Sequence, residues 1–458
     1  IGVYLFAMGV GSWLSRHVQR DLAGMFVRVE LAVGLIGGFS AAALFWAFAW
    51  LTGPFLLVLY LLVFLVGALV GLEIPLVMRL LKPRLQFNDL VSQVLSVDYF
   101  GALAVSLLFP LWLAPRLGMV RTALLFGLMN VAVAIWTLWL FRGELVGRRA
   151  LWAQAALAML LVTAGFAGAG RLSSLAETAL YEDRVVLAES TPYQRIVLTR
   201  WKNDLRLFLN GSLQFSSHDE YRYHESLVHP GLASMPWARR VLVLGGGDGM
   251  AVREILEYPH VQEVTLVELD ATMPRLFGSH PALRQLNREA FASPRVRVII
   301  ADAFRWLDET DERFDFVVVD FPDPTNYAVG KLYTNTFYRL LERSLNARGR
   351  AVIQSTSPLY ARQSFWTVVH TVESVGLHAA PYHAQVPSFG EWGFILAGRE
   401  PHALPATLPA GLRYLTPASL PGLFQFPPDM DRVPAEINRL DNQVLVRLFE
   451  QEWRQVIR

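Results

Sequence analysis

The sequence contains no cysteine, which excludes disulfide staples, thiolate zinc sites and cysteine nucleophiles and leaves no mark of a redox compartment. Charge is scarce as well. Asp, Glu, Lys and Arg make up 17% of 458 residues, and 41 basic against 39 acidic side chains leave a formal net charge of +2. Such a chain lacks the basic footprint of a nucleic-acid binder, so no nucleic-acid partner is expected. Hydrophobic residues reach 53%, above the ~45–50% apolar content of an ordinary soluble domain.

The excess is concentrated in residues 1–170, read as a helical membrane domain of about six spans. Runs at roughly 1–15, 29–51, 54–78, 95–115, 119–141 and 150–170 read as helices, and all but the first reach the ~20 residues that cross a bilayer core. A lipid bilayer is therefore an expected partner. The first run is short and opens at Ile1 without an initiator Met, which predicts that upstream sequence is missing. A cleaved signal peptide is the alternative, but neither a charged n-region nor a small-residue cleavage site is visible. Thr52-Gly53-Pro54 predicts a tight turn between two spans. Gly9, Gly11, Gly37 and Gly38 suit close helix packing. Glu73 and Asp98, each read near a span end, are the main polar residues of these spans. For both, interhelical or interfacial satisfaction competes with a cation path.

Sidedness is in conflict. Arg16, Arg20 and Arg28, then Arg79, Lys82 and Arg84, then Arg142, Arg148 and Arg149 fall in alternate loops, whereas the intervening loops carry Arg116 and Arg121. The positive-inside rule puts the three basic loops in the cytoplasm, and six spans then carry the rest of the chain to the other side.

After Arg171 the composition becomes that of a soluble α/β protein. Residues 184–188, 194–199 and 205–209 alternate like an antiparallel sheet, and Asn210-Gly211 is a hairpin turn signal. Residues 218–234 read as a helix. From 240 onward, β-rich runs at 241–244, 264–267, 296–300, 316–319 and 351–354, with a pair near 379–386 and 392–397, alternate with helical segments. That alternation predicts a doubly wound parallel sheet. The expected division is a membrane domain at 1–170, a small β-sheet domain at 180–235, a Rossmann-like domain at 236–400 and an extension at 401–458. The extension ends in an amphipathic helix with Leu440, Val444, Leu448 and Trp453 on one face.

The chemistry gathers at strand ends. The strand at 241–244 runs into Gly245-Gly246-Gly247-Asp248-Gly249, where glycines such as Gly245 and Gly247 permit a sharp turn and close approach of a ligand to the main chain. Glu268 ends the next strand, where a carboxylate can take both hydroxyls of a ribose. Asp302-Ala303 ends the third, placed to meet an adenine edge. Capping a strand end is the competing role for Glu268 and Asp302. The loop lacks the last glycine of the pyrophosphate fingerprint, and Asp248 would repel a phosphate. A carboxylate there suits an adenosine ligand that ends in a cation and bears no carboxylate of its own. The fourth strand ends in Asp320-Phe321-Pro322-Asp323-Pro324. Its two acids can hold a diamine and keep one amine placed to lose its proton, with surface turn chemistry as the alternative.

Tyr193-Gln194, Leu209-Asn210-Gly211-Ser212-Leu213-Gln214, Asp219-Glu220-Tyr221-Arg222-Tyr223-His224-Glu225, the glycine loop, Val267-Glu268-Leu269-Asp270, Asp302-Ala303 and Asp320-x-x-Asp323-Pro324 occur in the order and spacing of one family. Over roughly 180–400 the chain resembles the spermidine synthases, or polyamine aminopropyltransferases, and its hydrophobic front end is similar to their membrane-fused bacterial form. The resemblance implies a methyltransferase-like sheet behind a small β-domain, decarboxylated S-adenosylmethionine as aminopropyl donor, putrescine as acceptor, and spermidine and methylthioadenosine as products. No tightly bound cofactor or metal is expected, and a homo-oligomer is left open. By position, Gln194, Glu268, Asp302 and Ala303 would hold the thioadenosine, and Asp248 the donor's propylamine. Tyr223 and His224 would line the polyamine channel, with Asp248, His224 and Glu225 favouring a polycation. Asp320 would accept the proton and Asp323 would bind the amine beside it.

The chain departs from the family pattern at Asn210, at Phe321-Pro322, at Asn326-Tyr327 and in the late loop Val386-Pro387-Ser388-Phe389-Gly390-Glu391-Trp392. The last three bear on which amine is accepted, with Glu391 and Trp392 expected near the amine end. A cytosolic donor favours the cytoplasmic face of the inner membrane for the catalytic domain, against the arginine count. A methyltransferase using the intact donor would share the sheet, the glycine loop and Glu268, but would not require the paired aspartates. A membrane transporter or sensor that binds polyamine without turnover would depend on Glu73 or Asp98 more than on Asp320.

Overall fold

The computed structural model describes residues 1–50, 54–83, 85–143, 145–181 and 183–456. The chain packs as two units, Ile1–Lys202 and Asn203–Arg458.

In the first unit six helices answer to the six apolar runs: α1 (Gly2–Ser15), α2 (Leu22–Trp50), α3 (Phe55–Leu81), α4 (Phe87–Leu108), α5 (Ala114–Leu140) and α6 (Arg148–Tyr181). Five segments, Leu22–Phe48, Phe55–Leu81, Asn88–Leu113, Arg116–Leu140 and Arg148–Arg171, are long and apolar enough to cross a membrane. Two helices begin earlier than the hydropathy indicates, because polar residues can continue a helix once they have partners. Asp21 accepts the Gly24 N–H at 3.2 Å and lies 3.6 Å from Arg28, so Arg28 belongs to α2 rather than to a loop, and Glu30 lies inside that helix. Asp98 consequently falls in the middle of α4 and Glu73 well inside α3, not at span ends. Of the expected turn, Thr52 and Gly53 lie outside the described residues, as does Arg84; Pro54 immediately precedes α3.

Arg79 donates to the carbonyls of Ser15 and Val18, at 2.8 and 2.5 Å. It therefore closes the end of α1 and is a structural charge, which weakens its use as a topological signal. Close packing falls on part of the expected glycine set. A Cβ on Gly11 would lie 1.9 Å from the Ala68 carbonyl, and one on Gly71 2.2 Å from that of Met8, so α1 and α3 touch backbone to backbone; Gly9 and Gly37 face open space. The unit ends in an antiparallel pair, β1 (Arg184–Ser190) and β2 (Arg195–Trp201). By packing, these strands go with the helices, and the first unit runs to Lys202.

The second unit opens with the hairpin β3 (Asp204–Leu209) and β4 (Ser212–Ser216). Asn210 (φ 52°) and Gly211 (φ 86°) both take the left-handed conformation that such a turn requires. Helix α7 (Glu220–Leu232) leads into a seven-stranded sheet. Its strands are β5 (Arg240–Gly245), β6 (Glu263–Glu268), β7 (Val296–Ile300), β8 (Phe314–Asp320), β9 (Leu345–Ser355), β10 (His378–Val386) and β11 (Gly390–Gly398), in the order β10-β11-β9-β8-β5-β6-β7. Strands β5 to β9 are parallel, and β11 runs antiparallel to both β9 and β10. Chain order reverses between β5 and β8, and a parallel sheet opens a ligand crevice at the carboxyl ends of the strands where that happens.

Helices α8 (Met250–Leu256), α9 (Thr272–Ser279), α10 (Pro281–Leu286), α11 (Ala303–Glu309), α12 (Tyr327–Gly330), α13 (Asn335–Ser344) and α14 (Arg362–Glu373) fill the connections. Alternate strand residues feed two cores: Leu242, Leu244, Val317 and Val319 join Phe337 and Phe365, while Val241, Val243, Phe316 and Val318 join Ile255 and Phe394. Burial on both faces explains the unbroken apolar runs of these strands. The last helix, α15 (Val444–Val456), packs on α14, and its Glu452 accepts the backbone N–H groups of Gln363 and Ser364 at 2.7 and 3.0 Å. Its buried residues are Val444, Leu445, Val446 and Phe449; Leu440 precedes the helix and is exposed, so the expected apolar face is rotated.

Candidate active site

The crevice is shaped first by backbone. At the end of β5, Gly245 (φ 78°) and Gly246 (φ 62°) turn the chain in a conformation open to glycine. A Cβ on Gly245 would stand 2.2 Å from the Asp320 carbonyl, and the Gly246 N–H donates to that carbonyl at 3.1 Å. The glycine loop is thus stitched to the end of β8, which brings Asp248 and Asp320 to one edge. Asp248 accepts the Met250 N–H at 2.9 Å, and its carbonyl is held by the Asn287 side chain at 3.0 Å. On β6, Glu268 accepts the Asp270 N–H at 2.9 Å, and its other oxygen lies 2.7 Å from where a Cβ on Gly247 would be. Burial pushes the Glu268 pKa up to about 7, and the charges of Asp270 and Asp248 add to that.

Asp320 is the next acid. Tyr223 Oη donates to its Oδ1 at 2.5 Å. Burial and the nearby charge of Asp248 push its pKa up to about 6, against the opposing pull of His224 and of the tyrosine hydrogen bond. Burial raises Asp323 further, to about 7. Its Oδ1 is buried and has no hydrogen-bond partner among the described residues. Between the two acids the backbone is anchored: Phe321 is buried against Phe337, and its carbonyl accepts from Gln354 Nε2 and from Tyr333 Oη. Tyr333 Oη also reaches the Pro322 carbonyl at 3.1 Å. The Phe-Pro departure therefore wedges one residue into the core, beside the buried Tyr333 whose hydroxyl feels the charge of both acids. Asn326 has an equally local role, accepting the Val329 N–H at the start of α12.

Behind Tyr223 lies a buried ionic network that the sequence did not disclose. His224, 2% exposed, binds Glu220 through Nδ1 at 2.8 Å. Arg253 grips both oxygens of Glu220 at 3.0 and 2.9 Å and reaches Glu254, whose other oxygen meets His229 at 2.9 Å. Burial opposes a charge on His224, but Glu220 outweighs it, with help from Asp248, and the pKa is pushed up to about 9. Despite burial, Glu220 is held down to about 2 by His224 and Arg253. His224 is accordingly a cation beside Asp320 and Asp248. Glu225 does not join the site: one residue further along the helix, it turns away and accepts the N–H groups of Arg413, Tyr414 and Leu415 at 2.7, 2.9 and 3.0 Å.

The remaining expected residues divide. Asp302 is the N-cap of α11, accepting the Phe304 N–H at 2.9 Å, and Lys331 Nζ reaches its other oxygen at 2.5 Å. These contacts hold its pKa below the usual carboxylate range despite partial burial. The capping role expected for Asp302 is thus present, and Lys331 is an addition that no motif announced. Ala303 is buried as the first residue of α11. Gln194 belongs to the other unit, in the turn between β1 and β2, where its main chain bonds Thr191. The late loop is tied to α7 by Asp219, which accepts the Ser388 N–H at 2.6 Å and its hydroxyl at 2.9 Å. From it Phe389 packs on Tyr223, and Trp392 donates to Gln354 at 3.1 Å. Glu391 pairs with His383, so it and Trp392 part company; successive side chains of a strand point to opposite faces.

The spermine/spermidine synthase domain matches residues 220–406. The polyamine aminopropyltransferase of Leptospira interrogans is 51% identical over 457 residues, covering 100% of this chain and 92% of its own. Polyamine aminopropyltransferase 2 of Ralstonia nicotianae is 56% identical over 466 residues, covering 100% and 91%. The polyamine aminopropyltransferase of Mycobacterium tuberculosis is 38% identical over 467 residues, covering 98% and 88%. Among solved structures, a spermidine synthase in complex with the transition-state analogue AdoDATO matches with a TM-score of 0.50 at 24% identity, over 53% of this chain and 86% of that one, a likeness of fold.

The buried imidazolium gives a test by pH. A histidine whose pKa rises from 6.5 to about 9 on folding contributes stability that is complete below pH 6.5 and disappears as pH rises through about 9. His224→Gln is expected to lower Tm by ~2–4 °C for each kcal/mol lost, the scale of a unit as large as Asn203–Arg458, with the deficit at pH 6.5 closing by pH 9.5. A deficit of the same size at both values would show that His224 is not charged in the folded protein.

Proposed function

Since this chain belongs to the polyamine aminopropyltransferase family, we propose that the crevice at the end of β5 and β8 is where it moves an aminopropyl group from decarboxylated S-adenosylmethionine to putrescine, releasing spermidine and methylthioadenosine. The observation that carries the assignment is the pair Asp320 and Asp323: two sequestered acids, one with a buried oxygen that has no partner among the described residues, both with pKa values lifted toward neutrality. Such a pair is completed by an ammonium group.

The proposed roles follow from charge. The donor is a sulfonium with a terminal propylammonium; Asp248 takes the ammonium and disfavours a donor that keeps its carboxylate. Glu268 receives the ribose hydroxyls, and Asp302 and Ala303 the adenine edge. Gly245 and Gly247 let the nucleoside come close to the main chain. An alkylammonium ordinarily titrates near ~10.4, and only its neutral form attacks. Asp323 binds the acceptor's amine and Asp320 takes its proton. The nitrogen lone pair then forms a C–N bond to the donor methylene as the C–S bond breaks, and the departing electron pair turns the sulfonium into the neutral thioether of methylthioadenosine. Tyr223 orients Asp320, and His224 keeps enough positive charge nearby for that acid to stay ionised before the amine arrives.

We also infer that the five long apolar helices cross a membrane. Trp46, Trp136, Leu57 and Leu111 are exposed on the helical unit, and a surface of that kind suits lipid. The cytoplasmic face of the inner membrane is proposed for the catalytic unit, because the donor is a cytosolic nucleoside.

Asp320→Asn is expected to lower kcat by ~10²–10⁴-fold while donor binding survives, measured as methylthioadenosine release and as donor titration. In the wild type, kcat/KM for the amine should fall as pH drops from about 7 to about 6, where Asp323 and Asp320 take up protons; near-wild-type turnover by the variant would remove Asp320 from its role. The absence of cysteine permits a clean topology test. Arg305→Cys, at an exposed position on α11, should resist a membrane-impermeant maleimide in intact cells and react after lysis; labelling of intact cells would put the catalytic unit outside.

A further inference from the structure

The helical unit holds a second set of acidic groups. Glu73 on α3 lies near enough to Glu30 on α2 and to Asp98 on α4 to feel their charges, and Tyr4 on α1 lies near Glu73 and Asp98. Glu30 is 5% exposed, and its Oε2, like Glu73 Oε1, is buried with no hydrogen-bond partner among the described residues. Around them, Phe26, Val29 and Val33 of α2 pack against Leu72 and Leu76 of α3, so apolar side chains flank both glutamates. Arg79, the basic residue of α3's last turn, is committed to the Ser15 and Val18 carbonyls.

The backbone adds to this surplus of acceptors. Pro75 lies inside α3 two residues after Glu73 and has no N–H, so the Gly71 carbonyl one turn earlier loses its helical donor. Gly71 itself is pressed against Met8 of α1. Two carboxylate oxygens without a partner among the described residues, and one carbonyl deprived of its usual helical donor, thus occur in this part of the bundle, and a donor that carries positive charge would suit them.

Among the described residues no group of three or more acidic or histidine side chains is arranged to hold a metal ion. Acids spread over several helices suit instead an extended ion whose charges are separated by apolar links. An alkyl di- or polyamine has that form: its ammonium groups donate to carboxylates and carbonyls, while its methylenes lie against leucine, valine and phenylalanine.

We propose that the helical unit binds an alkyl polyammonium ion between Glu30 and Glu73, with the Gly71 carbonyl as a further acceptor and Asp98 as the outer charge. The choice of polyamine over other organic cations rests on the aminopropyl-transfer reading; the existence of a cation site does not. The enzyme would then hold amine at two places, one where the aminopropyl group is transferred and one within the helical bundle.

The test is equilibrium binding of radiolabelled spermidine to the full chain in nanodiscs of phosphatidylcholine, a zwitterionic lipid that does not itself attract polycations. Wild type is expected to bind two equivalents. Glu30→Gln/Glu73→Gln should lose one and keep its rate of aminopropyl transfer, and Asp323→Asn should lose the other. A single equivalent in wild type, or two retained by the Glu30→Gln/Glu73→Gln protein, overturns the proposal. Should that variant fail to fold, the wild type still decides: spermidine, but not Mg²⁺, should slow modification of Glu30 and Glu73 by a hydrophobic carbodiimide, and modification that spermidine leaves unchanged refutes the site. A wild type that binds two equivalents but transfers no aminopropyl group would contradict the reading of the catalytic unit and leave this site standing.

Discussion

Asp248, Glu268, Asp320 and Asp323 are delivered to one crevice by the carboxyl ends of neighbouring parallel strands; burial raises the pKa of Glu268, Asp320 and Asp323, and the charge of Asp248 adds to the rise at Glu268 and Asp320. Sequestration of the acids and the reversal of strand order between β5 and β8 are two sides of one arrangement. The glycine turn exists because only a backbone without a Cβ can lie against the Asp320 carbonyl. Phe321 and Tyr333 exist to hold the chain that separates the two aspartates. A site built this way is incomplete without cations, and both partners in aminopropyl transfer bring them.

The opposing charge comes from within the protein. His224 is kept protonated by Glu220, and Glu220 is kept ionised by His224 and the two-pronged grip of Arg253, so at neutral pH a positive charge stands behind Tyr223. This is a graded balance. Too little positive charge would leave Asp320 protonated and unable to act as a base, and too much would repel the amine.

Much of this was legible in the sequence because the relevant signals are local. Apolar runs of strand length, a glycine cluster directly after one of them, and acids at the ends of four strands all concern neighbours in the chain. What escaped was set by contacts far apart in sequence or by the phase of an element. Glu220 and Arg253 meet across 33 residues, which no motif spacing announces. Glu225 follows His224 directly, yet a single helical step turned it toward the 413–415 backbone. Glu391 and Trp392 were expected together, and strand alternation separated them. Lys331 reaches Asp302 from a loop 29 residues away. In the helical unit, the early start of α2 drew Arg28 out of its expected loop and set Glu30, at the very edge of the 29–51 run, two turns inside the helix.

The claim that an acid-lined crevice selects cationic, carboxyl-free ligands is tested most directly at Asp248. Binding of decarboxylated and intact S-adenosylmethionine should be measured by calorimetry in the wild type and in Asp248→Asn. The account predicts a preference of about tenfold or more for the decarboxylated donor, ~1.4 kcal/mol, that shrinks markedly in the variant. A preference that is absent in the wild type, or unchanged when the charge at 248 is removed, would contradict it.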